Sequence, residues 1–385
     1  MNKTLKAVFA TLPLFACTLS FGQQPTINVV TSAVPFMRVS PDARAGGMGD
    51  LGIATIPDAN STFWNLAKTP FIDKKAGLAL TYTPWLKDLG VSDVFLAALA
   101  GYYKLDDESA ISTSLRFFNL GDIQFTDFNG NPLSTGKPTE LAIDLGYSRK
   151  LSDRWSIGAA LRYINSNLAR GFASSSGVVY QAGSTVAGDV SLFHDATNEM
   201  GKGWRFGVAL SNLGGKIGYT NNAQEKDYIP ANLGIGASYT AAFDEDNKLT
   251  FGVDVNKLLV PTPPIPTGDS AVDATALLNY RSKGVVSSWF SSFGDAPGGF
   301  SEELKELQFS AGAEYSYADQ FFVRAGYFYE DRTKGNRKFA TVGVGVKFSG
   351  MGLNFSYLVP SGSGTNRNPL SNTLRFTLNF DLDGN

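Results

Sequence analysis

The chain has 385 residues, which is long for one ordinary globular domain but within the range of a single closed β-barrel. It carries 33 Lys and Arg residues against 35 Asp and Glu residues, a formal net charge of -2 at pH 7. This balance excludes a nucleic-acid-binding protein that depends on a strongly basic face, so no nucleic-acid partner is expected.

Residues 1–22 have the pattern of a secretory signal peptide. Lys3 and Lys6 form a basic start, and a short apolar run follows at 7–19. The run is too short to cross a membrane as a mature helix, so cleavage at the end of this segment is expected. Cys17 is the only cysteine of the chain, so the exported protein would hold neither a disulfide nor a thiolate metal site. The residues before it only loosely resemble a lipoprotein cleavage box, and lipidation is not expected.

Residues 23–75 precede the first strand pattern, and we expect them to fold into the lumen of a barrel as a plug. Their glycine-rich stretch lacks the lysine and the strand-to-helix setting of a phosphate-binding loop, so tight backbone packing is the better interpretation. Their carboxylates lack the spacing of a calcium loop and are expected to form a structural network with arginine. The residues concerned are Pro35, Arg38, Asp42, Arg44, Gly46, Gly47, Gly49, Asp50 and Asp58.

From Ala76 onward, segments of about ten residues alternate between apolar and small or polar side chains, a period of two that predicts β-strands. In the segment 140–151, Leu141, Ile143 and Leu145 share one face, and small or charged residues occupy the other. A soluble antiparallel sandwich also alternates in this way. Charged residues and glycines on the polar faces, with aliphatic residues on the apolar faces and aromatic residues near their ends, favour an outer-membrane barrel instead. The same pattern recurs at 248–256, 340–349 and 374–380. The candidate interfacial aromatic residues are Trp85, Trp155, Tyr163, Trp204 and Tyr239.

The candidate segments add up to about fourteen strands, an even number that is typical of bacterial single-chain barrels with both termini in the periplasm. Predicted connections alternate between short and long, as expected for periplasmic turns and external loops. We therefore predict an all-β fold: an antiparallel transmembrane β-barrel over residues 76–385, integral to the outer membrane and in contact with its lipids. The long connections lie at 127–139, 170–182, 261–306 and 361–371.

The longest predicted loop, 261–306, begins with several prolines and ends in a helix-favouring stretch. Between these lie three aromatic residues, Trp289, Phe290 and Phe293. A loop of this length usually has a function. Two interpretations are open: the aromatic residues anchor a partner protein, or they pack onto the barrel rim.

No pattern in the sequence indicates a catalytic, metal-binding or cofactor-binding site. His194 is the single histidine, and no acid and hydroxyl are placed so as to suggest a triad with it, so a structural role at the rim is expected. We expect no catalytic residue, no metal site and no cofactor.

Residues 32–50, SAVPFMRVSPDARAGGMGD, closely resemble the N-terminal signature of the PorV family, outer-membrane components of the type IX secretion system of Bacteroidetes. Residues 53–68, IATIPDANSTFWNLAK, continue the likeness. PorV proteins look like members of the FadL-type superfamily, whose plugged barrels carry an Asn-Pro-Ala motif in the plug. Here Asn65 and Ala67 match, but Leu66 replaces the proline, which puts a fixed turn at that point in doubt.

The resemblance implies a cargo-binding shuttle and no enzyme. PorV-like proteins bind secreted cargo through its C-terminal signal domain at the translocon, a giant SprA-like barrel. They deliver it to the attachment complex that contains the sortase PorU. The alternative function is a FadL-like channel for hydrophobic small molecules, which would need a continuous apolar tunnel beside the plug.

Overall fold

A computed structural model describes residues 27–87, 90–127, 129–173, 177–222, 225–359 and 372–382. The predicted signal peptide and the predicted loop 361–371 therefore lie outside the described residues. Within those ranges, no helix is both long and apolar enough to pass through a membrane.

Fourteen strands close into one antiparallel barrel, with a separate two-stranded hairpin inserted between the third and fourth wall strands. The first and last strands pair, with Ala76 opposite Leu382, so the wall has no free edge. This arrangement confirms the predicted fold class. The strands are β1 Ala76–Pro84, β2 Val94–Lys104, β3 Ser109–Leu120, β4 Ile123–Thr126, β5 Pro132–Gly136, β6 Thr139–Lys150, β7 Trp155–Asn167, β8 Gly183–Thr197, β9 Gly203–Gly214, β10 Asn232–Ala242, β11 Asn247–Leu258, β12 Gln308–Tyr317, β13 Phe321–Tyr329, β14 Lys338–Phe348, β15 Met351–Leu358 and β16 Leu374–Leu382, with β4 and β5 forming the hairpin.

The helices are short and lie in the plug and the longest loop. The α-helices are α1 Ala43–Gly46, α2 Ser61–Trp64, α3 Ser270–Ser282, α4 Val285–Ser291 and α5 Phe300–Glu303, and 3-10 turns lie at Pro35–Arg38, Leu66–Phe71 and Leu304–Glu306. The helix-favouring end of the longest loop is indeed helical. Its two preceding helices were not predicted.

Strand β6 shows how the alternating sequence builds the wall. Asp144 is 2% exposed and its neighbour Leu145 is 67% exposed. Charged and small side chains of this strand therefore face the lumen, and aliphatic ones face outward, where lipid takes the place of water. A shift of one residue in register would reverse every side chain, so the pattern also fixes the register.

The two ends of the barrel differ in the length of their connections. Turns of a few residues, such as 105–108 and 349–350, lie at the end where the barrel begins and finishes, which is the periplasmic end in bacterial barrels. The opposite, external end carries the long loops. The predicted long connection at 127–139 is longer in the structure, where it joins β3 to β6 and contains the hairpin of β4 and β5. The external loops 215–231 and 330–337 were not predicted.

Aromatic side chains form a belt on the outer face near the periplasmic end. Trp155 lies against His194 with ring centroids 4.3 Å apart, and Trp204 contacts Phe206 at 5.8 Å and Tyr239 at 5.0 Å. Amphipathic rings at this level suit the boundary between lipid and water. His194 therefore has a structural setting in this belt.

The position of Trp85 differs from the one that the sequence predicts. The sequence places it among the interfacial aromatic residues, but its ring lies 5.0 Å from that of Phe118, a buried residue of the lumen. Trp85 follows the last residue of β1 at the external mouth, where the chain turns inward over the plug. The alternation of β1 therefore no longer applies to it.

Candidate functional site: the plugged lumen and the external rim

The plug backbone lies directly on the backbone of the barrel wall. A Cβ atom added to Gly326 would lie 2.0 Å from the carbonyl carbon of Met48, and one added to Gly49 would lie 2.6 Å from the amide nitrogen of Tyr327. Gly49 also has a φ of 73°, which favours glycine. Glycine on both surfaces thus permits a contact that side chains would prevent, as expected from the glycine-rich motif. Gly47 packs in the same way against the backbone of Gly343, whereas Gly46 lies against the side chain of Arg375.

Asp42 is a structural cap within the plug. Its side chain accepts hydrogen bonds from the backbone N–H of Ala45 at 2.8 Å and from the indole N–H of Trp64 at 2.6 Å. Burial, together with the nearby carboxylate of Asp58, raises the pKa of Asp42 above its ordinary value. The carboxylate fixes the start of α1 against α2, a structural use that accounts for both of its oxygens.

Arg44 joins the plug to the barrel wall. Its guanidinium donates to both carboxylate oxygens of Glu314 on β12, at 3.0 and 2.8 Å, and to Asp58 at 3.0 Å. Glu314 also accepts from Arg324 on β13. Two arginines and two carboxylates therefore neutralise one another inside the lumen, where an unpaired charge would be costly. Asp50, another charged residue of the predicted plug motif, has a carboxylate oxygen 3.9 Å from a guanidinium nitrogen of Arg375 on β16.

Lys68 is a plug residue that the sequence did not single out. It is 1% exposed, and its ammonium donates to the carbonyl of Gly52 at 2.7 Å and to Thr55 at 3.1 Å. Burial lowers the pKa of Lys68 to about 8. Asp254 on β11 accepts hydrogen bonds from the backbone N–H groups of Gly52 and Ile53, so it clamps the same turn from the wall.

Asn65 holds the turn that the missing proline left in doubt. Its amide donates to the carbonyls of Ile53 and Leu192, both at 3.1 Å, and its oxygen accepts from the backbone N–H of Ala67 at 3.0 Å. The side chain thus connects the plug to β8 and caps the 3-10 turn that begins at Leu66. Proline is not needed at this position because three hydrogen bonds fix the turn.

The part of the chain that the structure describes lines two cavities beside the plug. A cavity of about 740 Å³ at the periplasmic end is lined by Arg44, Asp58 and the charged residues of several periplasmic turns. A second, of about 120 Å³, lies in the external half of the lumen beside Arg38, Arg116 and Asn212. Charged and polar side chains therefore contribute to the lining of both spaces.

Ion pairs fasten the external mouth. Lys257 at the end of β11 pairs with Glu303 and Glu306 of the longest loop, at 3.0 and 2.7 Å. Lys334 of the neighbouring loop pairs with Glu306 at 3.0 Å and also with Glu302. All five side chains are 18% exposed or less, so water screens these pairs only weakly.

Glu330 links the plug to the same mouth. It accepts hydrogen bonds from Arg337 at 2.8 and 3.0 Å and from Arg38 of the plug at 3.3 Å. Burial alone would raise the pKa of Glu330, but Arg337 and then Arg38 outweigh it and hold the pKa below the ordinary value of 4.5. The pairing therefore stabilises the mouth above that value, and its contribution disappears as the pH falls through the lowered pKa.

Acidification is accordingly expected to loosen the mouth while the barrel remains closed. A spin label on a cysteine at position 332, in the same loop, should gain mobility as the pH is lowered from roughly 5 to 3. The variant Glu330→Gln should already show the mobile spectrum at neutral pH and no further change. Equal mobility of the wild-type label at both pH values would contradict this account.

The aromatic residues of the longest loop differ in exposure. Phe290 is 75% exposed and Phe293 51%, and Val286, one helical turn before Phe290 on α4, is 59% exposed. Trp289 is half-buried, and the ammonium of Lys257 lies 5.8 Å from the ring centroid of Phe293. The stretch thus rests on the rim through part of its surface and exposes the rest, and its binding of a partner stays a prediction. We call Val286, Phe290 and Phe293 the loop patch.

Comparison with known proteins gives one family and one fold. The family model described as "Type IX secretion system protein PorV" matches residues 22–265, more than half of the chain. No curated protein matches the sequence.

Solved structures of hydrocarbon channels and transporters match the fold. The CymD monoaromatic hydrocarbon channel matches with a TM-score of 0.52 and 13% identity over 90% of this chain and 98% of that chain. A TodX deltaS2S3 mutant channel matches with a TM-score of 0.50 and 13% identity over 88% and 96%. The toluene transporter TbuX of Ralstonia pickettii gives a TM-score of 0.49, also at 13% identity, over 88% and 96%. At such identities the first two show a shared fold and nothing about ligands.

Proposed function

Because the chain belongs to the PorV family of type IX secretion system proteins, we propose that it binds secreted cargo at the outer membrane and hands it onward. Membership makes it an outer-membrane component of type IX secretion. The proposal adds the steps: the protein recognises the C-terminal signal domain of the cargo at the translocon and delivers the cargo to the attachment complex that contains the sortase. The partners are then the translocon, the sortase complex and the cargo proteins.

The observation that carries the proposal is an exposed apolar surface on a loop that is anchored at its base. Phe290 is 75% exposed at the external end, while Lys257, Glu303 and Glu306 fasten the same loop to the rim. Exposed aromatic side chains on a rigid support are typical anchors of protein interfaces, since little freedom is lost when they bind. The loop patch lies beyond the stretch matched by the family model, which ends at residue 265.

A channel for hydrophobic molecules is the rival function. It requires an apolar path through the lumen, but Arg44, Glu314 and Arg324 pair across the space between plug and wall. The periplasmic cavity has a mixed lining, in which charged residues such as Arg154 and Lys347 lie among apolar ones such as Phe71 and Phe322. An apolar solute would have to separate these pairs, which is costly in a buried setting. The lumen as it stands supports the binding function better.

Two substitutions in the loop patch test the proposal. The double variant Phe290→Ser, Phe293→Ser should retain barrel assembly and lose at least about tenfold in cargo or translocon association, because each buried aromatic anchor contributes roughly 2 kcal/mol. Association is measured by capture of tagged protein from detergent-solubilised outer membranes. Leu133→Ser, on the exposed hairpin and 57% exposed, is the matched control.

Unchanged capture by the double variant would remove the loop patch from the binding surface. Loss of hydrocarbon uptake in a deletion strain, with secreted proteins exported and processed normally, would favour the channel instead.

A further inference from the structure

The described chain starts at the external mouth, although the sequence predicted both termini at the periplasmic end, where the barrel begins and finishes. The backbone N–H of Asn28 donates to the carbonyl of Thr333 at 3.1 Å, and its side-chain amide donates to the carbonyl of Pro263 at 3.2 Å. Both acceptors belong to external loops. Ile27 is 73% exposed, whereas Asn28 is 7% exposed, so the chain passes from the outer surface into the mouth between these two residues.

Residues 27–38 then cross the mouth and contact several loops in turn. Val30 packs in one cluster with Tyr228, Leu258 and Val260, and the half-buried Tyr280 lies against that cluster. The backbone N–H of Ala33 donates to the carbonyl of Tyr228 at 2.8 Å. The hydroxyl of Tyr228 in turn donates to the carbonyls of Tyr280 and Lys283 at the end of α3. The segment is thereby connected to the longest loop at its proline-rich start and at its helix.

The path of this segment is closely specified. Val34 is fully buried and has a φ of 47°, in the left-handed region that β-branched residues rarely adopt. Such a conformation persists only where the surroundings determine it. Phe36 is also fully buried, stacked 6.4 Å from Phe118, and Arg38 pairs with Glu330.

We propose that residues 27–38 form a strap that enters the barrel from the cell exterior and holds the longest loop in place over the mouth. The strap is the outer end of the plug, whose inner end joins β1 at the periplasmic side. The segment 27–75 therefore spans the whole lumen and links the external loops to the periplasmic face. This inference concerns the direction of the chain and the support of the loop, and it holds whether or not the loop binds cargo.

Surface labelling tests the direction of the chain. In a Cys17→Ser background, which has no other cysteine, the variant Ile27→Cys should react on intact cells with a membrane-impermeant maleimide. Phe300→Cys, 76% exposed in the longest loop, sets the full external signal. Asp107→Cys in a periplasmic turn should react only after permeabilisation. Labelling of position 27 only after permeabilisation would overturn the proposal.

Amide hydrogen exchange tests the support of the loop. Asn28→Ala removes the hydrogen bond to Pro263, so peptides from 259–283 should exchange roughly two- to tenfold faster, the effect of one lost hydrogen bond. Asn28→Asp keeps the shape without the amide donor and should accelerate exchange at least as much. Gln124→Ala, on the exposed hairpin, should leave these peptides unchanged. Unchanged exchange in both Asn28 variants would show that the strap does not hold the loop.

Discussion

Gly326→Ala is expected to displace the plug and open the lumen to ions. The added Cβ atom would lie 2.0 Å from the carbonyl carbon of Met48 and 2.2 Å from the amide nitrogen of Gly49. These are backbone atoms and cannot swing aside as a side chain would, so the plug must move off β13. The expected cost to plug docking is about 3 kcal/mol, the upper end of overpacking penalties.

Ion conductance across planar bilayers measures this effect directly. The wild-type barrel should show little current, and Gly326→Ala should show frequent openings together with chymotryptic cleavage within residues 27–75. Gly352→Ala on β15 is the matched control, because its Cβ atom would lie no closer than 3.5 Å to any neighbour. Equal conductance in the two glycine variants would contradict the direct backbone contact.

Arg44→Met is expected to loosen the plug by removing its charge. Glu314 is 1% exposed, so the loss of Arg44 leaves its carboxylate with Arg324 alone, and Asp58 loses its ion-pair partner. Removing one member of a buried ion pair typically costs about 3–5 kcal/mol, because the remaining charge is buried without compensation. The stability of the plug in detergent, followed by chymotryptic cleavage against temperature, should fall accordingly.

A double-mutant cycle separates charge from packing. Adding Glu314→Gln to Arg44→Met removes the stranded carboxylate and should recover part of the loss. Arg149→Met is the surface control: its pair with Glu108 is exposed to water, so its loss should leave the cleavage profile of the plug unchanged. If the double variant were less stable than the sum of its parts, the pairing of Arg44 with Glu314 would not be the main anchor.

The wall of the barrel could be predicted from the sequence because it is encoded locally. In β6, Asp144 and Leu145 are neighbours with opposite exposure, and a period of two is readable in any such strand. The hairpin of β4 and β5 was not predicted because it lacks this alternating pattern. Nearly all of its residues are exposed on both faces, so no alternation marks it.

The plug contacts residues that are distant in the sequence, so the type of contact could be predicted but the partners could not. The sequence indicated that Arg44 would pair with carboxylates, but its main partner Glu314 lies 270 residues away and no pattern points to it. Lys68 was overlooked because a single lysine near the end of a polar segment has no distinguishing spacing. The strap could not be predicted either, because the direction in which a plug enters the lumen does not change the periodicity of the sequence.

The plug and the longest loop contact each other at the external mouth, and these contacts fix the rim of the barrel. The plug lies within the lumen and contacts the mouth through Arg38 and Asn28, and the mouth in turn supports the loop patch. These contacts hold the loop patch in a fixed position at the external end, as the proposed binding function requires.

Capture of the tagged protein from gently solubilised outer membranes, followed by mass spectrometry, tests the binding function most directly. If the protein binds cargo as proposed, the capture should recover a giant translocon barrel, a sortase and several secreted proteins that share one C-terminal domain, with all three reduced in the Phe290→Ser, Phe293→Ser variant. Recovery of the barrel alone under the same gentle conditions would contradict it.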